Sequence, residues 1–143
     1  MNTCFVSTSI PYVNARPHIG FALELVQADV VARWNRLCGR DTFFLSGTDE
    51  NASKNVQVAV KAGITPQQLC DRNAVVFQRL IDALHISTDR FIRTSSTLHH
   101  KGAVKFWRMC RNDDLYKKQY QGLYCIGCED FYLEKDLVDN RCP

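Results

Sequence analysis

The sequence of 143 residues has no apolar run as long as the roughly 20 residues that a membrane-spanning helix needs. Its first residues also lack the basic region and the long apolar core of a secretory signal peptide. The net charge is only +3, so charge alone does not demand a nucleic-acid partner. These absences predict a protein with no membrane partner.

The remaining composition is that of an ordinary globular protein, with 45% hydrophobic and 23% charged residues. A chain of this length can form one domain, or one domain together with the start of another.

Seven cysteines without a secretory signal predict a reducing compartment, the cytoplasm, in which thiols stay free or bind metal. Cys125 and Cys128 form a Cys-x-x-Cys pair, and Cys142 follows them before a proline. This spacing is typical of a zinc knuckle that lacks its last ligand. We therefore expect structural Zn²⁺ and an N-terminal fragment of a longer protein. Free thiols are the alternative, and a disulfide is the weakest option.

A Pro-rich turn joins a strand-like segment to a helix-like segment near the N-terminus. The strand is predicted from about Thr3 to Ile10, and the helix from about Ile19 to Leu37. Free N–H groups at the start of a helix stabilise an anion. His18 can donate a hydrogen bond to a phosphate, and Gly20 lets the backbone approach a ligand closely. In the alternative, His18 caps the helix and Gly20 permits close packing.

The rest of the pattern predicts an α/β fold built on a βαβ unit. The first helix carries two apolar rows, which predict its burial against the sheet and another element. The first row is Leu23, Val26, Val30, Trp34 and Leu37, and the second is Phe21, Leu25, Ala28 and Ala32. A domain boundary is expected near residues 114–118, where short Tyr-rich segments begin. Further strands are predicted at about 42–46 and 91–93, and further helices at about 53–62, 65–84 and 98–110.

Three blocks of the sequence resemble class I aminoacyl-tRNA synthetases, and most of all the methionine-specific group. Pro17-His18-Ile19-Gly20-Phe21 resembles the HIGH signature, with Pro11-Tyr12-Val13-Asn14 before it. Phe43 to Asn51 resembles a block that carries Gly-Thr-Asp-Glu, and Gly122 to Phe131 resembles the zinc knuckle of an inserted domain. The three blocks occur in the family's order and cover most of the chain.

This resemblance implies a Rossmann-like doubly wound parallel sheet in residues 1–116, which would be the N-terminal half of the catalytic domain. Residues 117–143 would start the zinc-knuckle insertion. The implied activity is attachment of methionine to its tRNA by ATP-dependent adenylation, with ATP and Mg²⁺, structural Zn²⁺ and tRNA as partners. Nothing in the chain resembles the family's Lys-Met-Ser-Lys-Ser loop. The isolated fragment is therefore expected to be inactive.

By resemblance, His18 contacts the ATP phosphates and Gly20 makes room for the adenine. Phe21 stands where the family has a second histidine at the ATP site, so restoring that histidine is expected to strengthen ATP binding. Asp49 matches the position that holds the ammonium group of methionine. The implied lining of the amino-acid pocket is Ser9, Ile10 and Tyr12.

Several alternatives stay open. Asp49 could cap the next helix, and Tyr12 could pack on the core as a turn aromatic. The protein could be another class I synthetase, specific for cysteine, leucine, isoleucine or valine. It could also be a non-catalytic module that binds a nucleotide or zinc.

Overall fold

A computed structural model describes residues 2–110 and 113–143 of the chain. The chain forms two compact units, one up to Ala103 and the other from Val104 onward. The functional boundary after residue 116 stays a prediction. Among the described helices, none combines the length and the apolar character needed to cross a membrane.

A parallel three-stranded sheet forms the centre of the first unit. Its strands are β1 (Thr3–Ser7), β2 (Asp41–Thr48) and β3 (Arg90–Arg93), in the order β1-β2-β3. The predicted strand–helix–strand unit and the α/β class are confirmed. The helices are α1 (Ile19–Leu37), α2 (Ser53–Lys61), α3 (Pro66–Ala83) and α4 (Thr97–Met109), the last of which continues into the second unit.

Helix ends follow the local signals in the sequence. Thr65 caps α3 in a reciprocal capping box with Gln68, and Pro66 occupies the first turn. Gly39, which follows α1, has a φ of 73°, a conformation that glycine adopts without strain. Both predicted helix boundaries are therefore confirmed.

Strand ends were predicted less well. β1 stops at Ser7, three residues before the predicted end at Ile10. β2 extends beyond its predicted end because Gly47 and Thr48 pair with Ile92 and Arg93 of β3. A Cβ on Gly47 would lie 2.1 Å from the Ile92 carbonyl oxygen, so only glycine allows this close strand approach.

One side of α1 forms much of the core. Phe21, Leu25 and Ala32 are buried with Phe44 of β2 and Phe77 of α3. The second predicted row is confirmed as part of the core, but the described residues leave the first row uncovered, so the prediction that both rows are buried is wrong for this part of the chain. The exposed row comprises Leu23, Val26, Val30, Trp34 and Leu37.

A buried carboxylate ties α1 to the segment before β3. The Asp29 carboxylate accepts hydrogen bonds from the Ser87 backbone N–H at 2.7 Å and from the Arg33 Nε at 2.7 Å. Burial alone would raise the pKa of Asp29, but the hydrogen bonds from Ser87 and Arg33 outweigh it and lower that pKa. Asp29 is therefore held in its charged form.

The second unit contains a short antiparallel pair, β4 (Leu123–Cys125) and β5 (Asp130–Tyr132). The turn between them is closed by a 2.8 Å hydrogen bond from the Glu129 backbone N–H to the Cys125 carbonyl. Glu129 has a φ of 56°, in the left-handed region. This tight turn brings Cys125 and Cys128 to one end of the hairpin.

Candidate functional site

His18 caps the N-terminus of α1 with its own ring. Its Nδ1 accepts hydrogen bonds from the backbone N–H groups of Gly20 at 3.1 Å and Phe21 at 3.3 Å. These amides are therefore occupied, and the predicted set of free N–H groups is reduced. An imidazole whose Nδ1 accepts carries its proton on Nε2. Because the His18 side chain is exposed, this Nε2–H can be offered to an anion.

Gly20 makes this cap possible. A Cβ at Gly20 would lie 3.0 Å from both Cε1 and Nδ1 of the His18 ring. Any side chain there would press on the imidazole and shift it. The small size of Gly20 thus serves the orientation of His18, a role that the sequence did not predict.

Phe21 does not lie at the surface of the loop. Its side chain is only 3% exposed, and its ring packs edge-on against Phe77 with centroids 5.7 Å apart. The position that the resemblance gave to an ATP contact is thus taken by a core side chain. This corrects the expectation for Phe21, since a ring enclosed in the core offers no surface to a nucleotide.

Replacing Phe21 with His is expected to lower stability without improving ATP binding. The change removes apolar volume and buries a polar ring, with an expected cost of about 2–3 kcal/mol. Thermal unfolding and the KM for ATP of the full-length protein would measure both effects, with Phe21→Leu as the apolar control. A lower KM for ATP in Phe21→His at unchanged stability would contradict the core assignment.

The loop after β1 is clamped to α1 by one carboxylate. Glu24 accepts hydrogen bonds from the Ser9 backbone N–H at 2.5 Å and from the Ser9 hydroxyl at 2.7 Å. This clamp explains why β1 ends before Ser9, because the Ser9 N–H donates to a side chain of α1 and not to a neighbouring strand. The clamp leaves Ser9 and Ile10 exposed on the loop.

The same loop meets the end of β2. The Asp49 backbone N–H donates to the Pro11 carbonyl at 2.9 Å, and Tyr12 forms a parallel bridge with Asp49. The Lys54 ammonium lies 5.8 Å from the centre of the Tyr12 ring. Tyr12 is half-buried. The structure thus brings together two of the predicted site residues, Tyr12 and Asp49, which are far apart in the sequence.

The Asp49 carboxylate is oriented by two donors on one oxygen. Its Oδ1 accepts from the Asn51 backbone N–H at 3.0 Å and from the Thr94 hydroxyl at 3.2 Å. The alternative in which Asp49 caps α2 is wrong, because the N-cap of α2 is Ala52, three residues after Asp49. Asp49 lies at the carboxyl end of β2, where ligands of open α/β sheets bind.

A buried ion pair beside Asp49 was missed from the sequence. The Glu50 carboxylate is completely buried and accepts from the Arg93 Nε at 2.6 Å and Nη2 at 3.1 Å. It also accepts from the Thr48 and Ser95 hydroxyls. Hydrogen bonds to Glu50 and Asp71 raise the pKa of Arg93, so this cation stays charged. The only sequence signal was an arginine at the end of the third predicted strand.

Three thiols converge in the second unit. The Sγ atoms of Cys125, Cys128 and Cys142 all lie within 4.8 Å of one another. The Cys142 Sγ is 3.4 Å from that of Cys125 and 3.6 Å from that of Cys128, too far for an S–S bond of about 2.05 Å. Thiolates bound to one tetrahedral zinc at about 2.3 Å lie roughly 3.8 Å apart, so the cluster fits such an ion.

The protonation of the cluster is uneven. The backbone N–H of Cys128 and hydrogen bonds from the Cys142 and Cys128 thiols lower the pKa of Cys125 to about 7. Hydrogen bonds with Cys125 and Cys128 raise the pKa of Cys142 to about 11. A hydrogen bond with the Cys128 side chain raises the pKa of Tyr132 to about 12. One thiol of the cluster is thus close to the thiolate form that binds metal.

Comparison with known proteins agrees with this arrangement. Residues 4–143 match the family model of class I tRNA synthetases (M). The methionine–tRNA ligase of Thermotoga maritima is 44% identical over 97% of this chain and 23% of its own length. The methionine–tRNA ligase of Mycobacterium leprae is 46% identical over 98% of this chain and 27% of its own length. The chain thus spans about a quarter of the length of these relatives.

A solved structure is similar throughout. The Mycobacterium tuberculosis methionyl-tRNA synthetase in complex with methionyl-adenylate superimposes with a TM-score of 0.90 at 43% sequence identity. The match covers 98% of this chain and 28% of that one.

Proposed function

Because the chain belongs to the class I tRNA synthetases (M), we propose that it forms one part of the site in which a full-length enzyme activates methionine with ATP and transfers it to tRNA. The observation that carries this proposal is the junction of the loop after β1 with the end of β2. His18 is the N-cap of α1 at the end of that loop, and Asp49 directly follows β2, so the junction joins the two segments that carry these residues.

The reaction joins two anions, the carboxylate of methionine and the α-phosphate of ATP, with release of pyrophosphate. In our proposal the Asp49 carboxylate binds the ammonium group of methionine. The His18 Nε2–H donates to the phosphate oxygens as charge develops on them, which is the kind of preorganised contact that stabilises a transition state. Ser9, Ile10 and Tyr12 line the amino-acid pocket, and Gly20 borders the adenine. Mg²⁺ would accompany the ATP.

Methionine-dependent ATP–pyrophosphate exchange by the full-length protein tests this function. We expect exchange with methionine, and little with leucine, isoleucine, valine or cysteine. Exchange driven by one of these four and not by methionine would contradict the proposal in favour of another class I specificity. The isolated 143-residue chain should show no exchange.

For Cys125, Cys128 and Cys142 we propose structural zinc. Soft thiolate ligands select zinc, and the separations of the three Sγ atoms agree with a shared tetrahedral ion. When bound, zinc would hold the end of the β4–β5 hairpin to the segment around Cys142. All seven cysteines are free, which supports a reducing compartment such as the cytoplasm.

Replacing Cys125 or Cys128 with Ser should reduce the bound zinc from about one ion per full-length protein to a small fraction of that, because a structural zinc site is four-coordinate and each change removes one thiolate ligand. Elemental analysis of the purified protein measures this directly. Cys38→Ser is the matched control, since Cys38 is exposed and lies outside the cluster. Full zinc content in Cys125→Ser and Cys128→Ser would refute the assignment.

A further inference from the structure

The Thr94 hydroxyl connects two consecutive residues of the candidate site. It accepts a hydrogen bond from the Glu50 backbone N–H at 2.7 Å and donates one to Asp49 Oδ1 at 3.2 Å. A hydroxyl has a single proton. Since the Glu50 N–H approaches the oxygen as a donor, the hydroxyl proton is directed at the carboxylate of Asp49.

Thr94 is itself held firmly. It is only 8% exposed, and its backbone N–H donates to the Thr48 carbonyl at 3.2 Å, which continues the pairing of β2 with β3. The preceding residue, Arg93, binds the fully buried Glu50 carboxylate. Two adjacent residues at the end of β3, Arg93 and Thr94, therefore bind the two residues that follow β2, so the hydroxyl has little freedom relative to Asp49.

Both oriented donors on Asp49, the Thr94 hydroxyl and the Asn51 N–H, contact the same oxygen, Oδ1. Two contacts from different directions on one oxygen fix the rotation of the carboxylate about its Cβ–Cγ bond. The direction of Oδ2 is then fixed as well.

We propose that Thr94 is a positioning residue for recognition of the amino-acid ammonium group. Its hydroxyl holds the Asp49 carboxylate so that Oδ2 faces that cation. This inference rests on the proposed function, because it takes Asp49 as the ammonium ligand.

Thr94→Val in the full-length protein tests the role of the hydroxyl, because valine has nearly the same shape and no O–H. We expect the KM for methionine to rise about tenfold, the usual scale for loss of a hydrogen bond to a charged group. The kcat and the KM for ATP should stay within about twofold. Thr94→Ser keeps the hydroxyl and should stay close to wild type. A parallel change in both KM values, or an equal loss in Thr94→Ser, would overturn the proposal.

Two inhibitors separate positioning from general damage to the site. Methioninol keeps the ammonium group and lacks the carboxylate, whereas 2-hydroxy-4-methylthiobutanoate keeps the carboxylate and has a hydroxyl in place of the ammonium group. Thr94→Val should weaken methioninol about tenfold and leave the hydroxy acid within about twofold. Equal weakening of both, or of neither, would overturn the proposal.

Thermal unfolding checks that each variant is folded. If Thr94→Val does not fold, Thr94→Ala removes the same hydroxyl by deleting atoms only, and the same inhibitor pattern is required of it. Failure of the proposed function has a different signature: the wild-type protein would then show no methionine-dependent exchange, and the Thr94 inference would fall with it. Wild-type exchange together with an unselective Thr94→Val would refute the Thr94 inference alone.

Discussion

Asp49→Asn is expected to reduce kcat/KM for methionine in the full-length protein by about two to three orders of magnitude. Loss of one partner from a desolvated charge pair costs about 3–4 kcal/mol, and about 1.4 kcal/mol corresponds to a factor of ten. Asparagine keeps the shape of the side chain, and its carbonyl oxygen can still accept from Asn51 and Thr94. The expected loss therefore comes from the charge. ATP–pyrophosphate exchange at varied methionine measures it.

Asp82→Asn is the matched control for this change. Asp82 is an exposed residue of α3, and its replacement should leave kcat/KM within about twofold, as is usual for surface substitutions. If Asp49→Asn reduced kcat/KM for methionine no more than Asp82→Asn does, Asp49 would not be the ligand of the ammonium group.

His18→Asn is expected to reduce kcat by about 100-fold or more with little change in stability. Asparagine is among the best N-cap residues, so the start of α1 should remain capped when the imidazole is removed. The variant lacks the Nε2–H that we assign to the phosphate oxygens, and loss of one such transition-state donor costs about 100- to 1000-fold. Single-turnover formation of the adenylate, followed by rapid quench, measures the step itself.

His18→Ala provides the comparison that separates the two roles of this residue. It should show the same loss of rate and, in addition, lower thermal stability by about 1 kcal/mol, because the cap is lost. If His18→Asn formed adenylate at the wild-type rate, His18 would be a helix cap and nothing more.

The sequence predicted the ends of the helices better than the end of the first strand, and the reason is physical. The ends of α1 and α3 were predictable because Gly39, Thr65 and Pro66 act through local backbone chemistry. The end of β1 was not, because residues 8–10 have the composition of a strand and leave it only where Glu24 binds Ser9. That bond joins positions 15 residues apart and leaves no local signal.

The candidate site shows the same division. The residue types of His18 and Asp49 were informative in their motifs, and the structure adds what orients them. The contact of Thr94 with Asp49 spans 45 residues and depends on the register in which Thr48 lies opposite Arg93. Phe21 illustrates the opposite case. The helical pattern alone assigned it to an apolar row, whereas the family resemblance assigned it to the ATP site. The structure places it in the core.

A crystal structure of the full-length protein with bound methionyl-adenylate tests the central claim most directly. The account predicts that the ammonium group of the ligand lies about 3 Å from the Asp49 Oδ2 and that the His18 Nε2 lies within hydrogen-bonding distance of a phosphate oxygen. An ammonium group bound by other residues, with Asp49 facing away, would contradict the account.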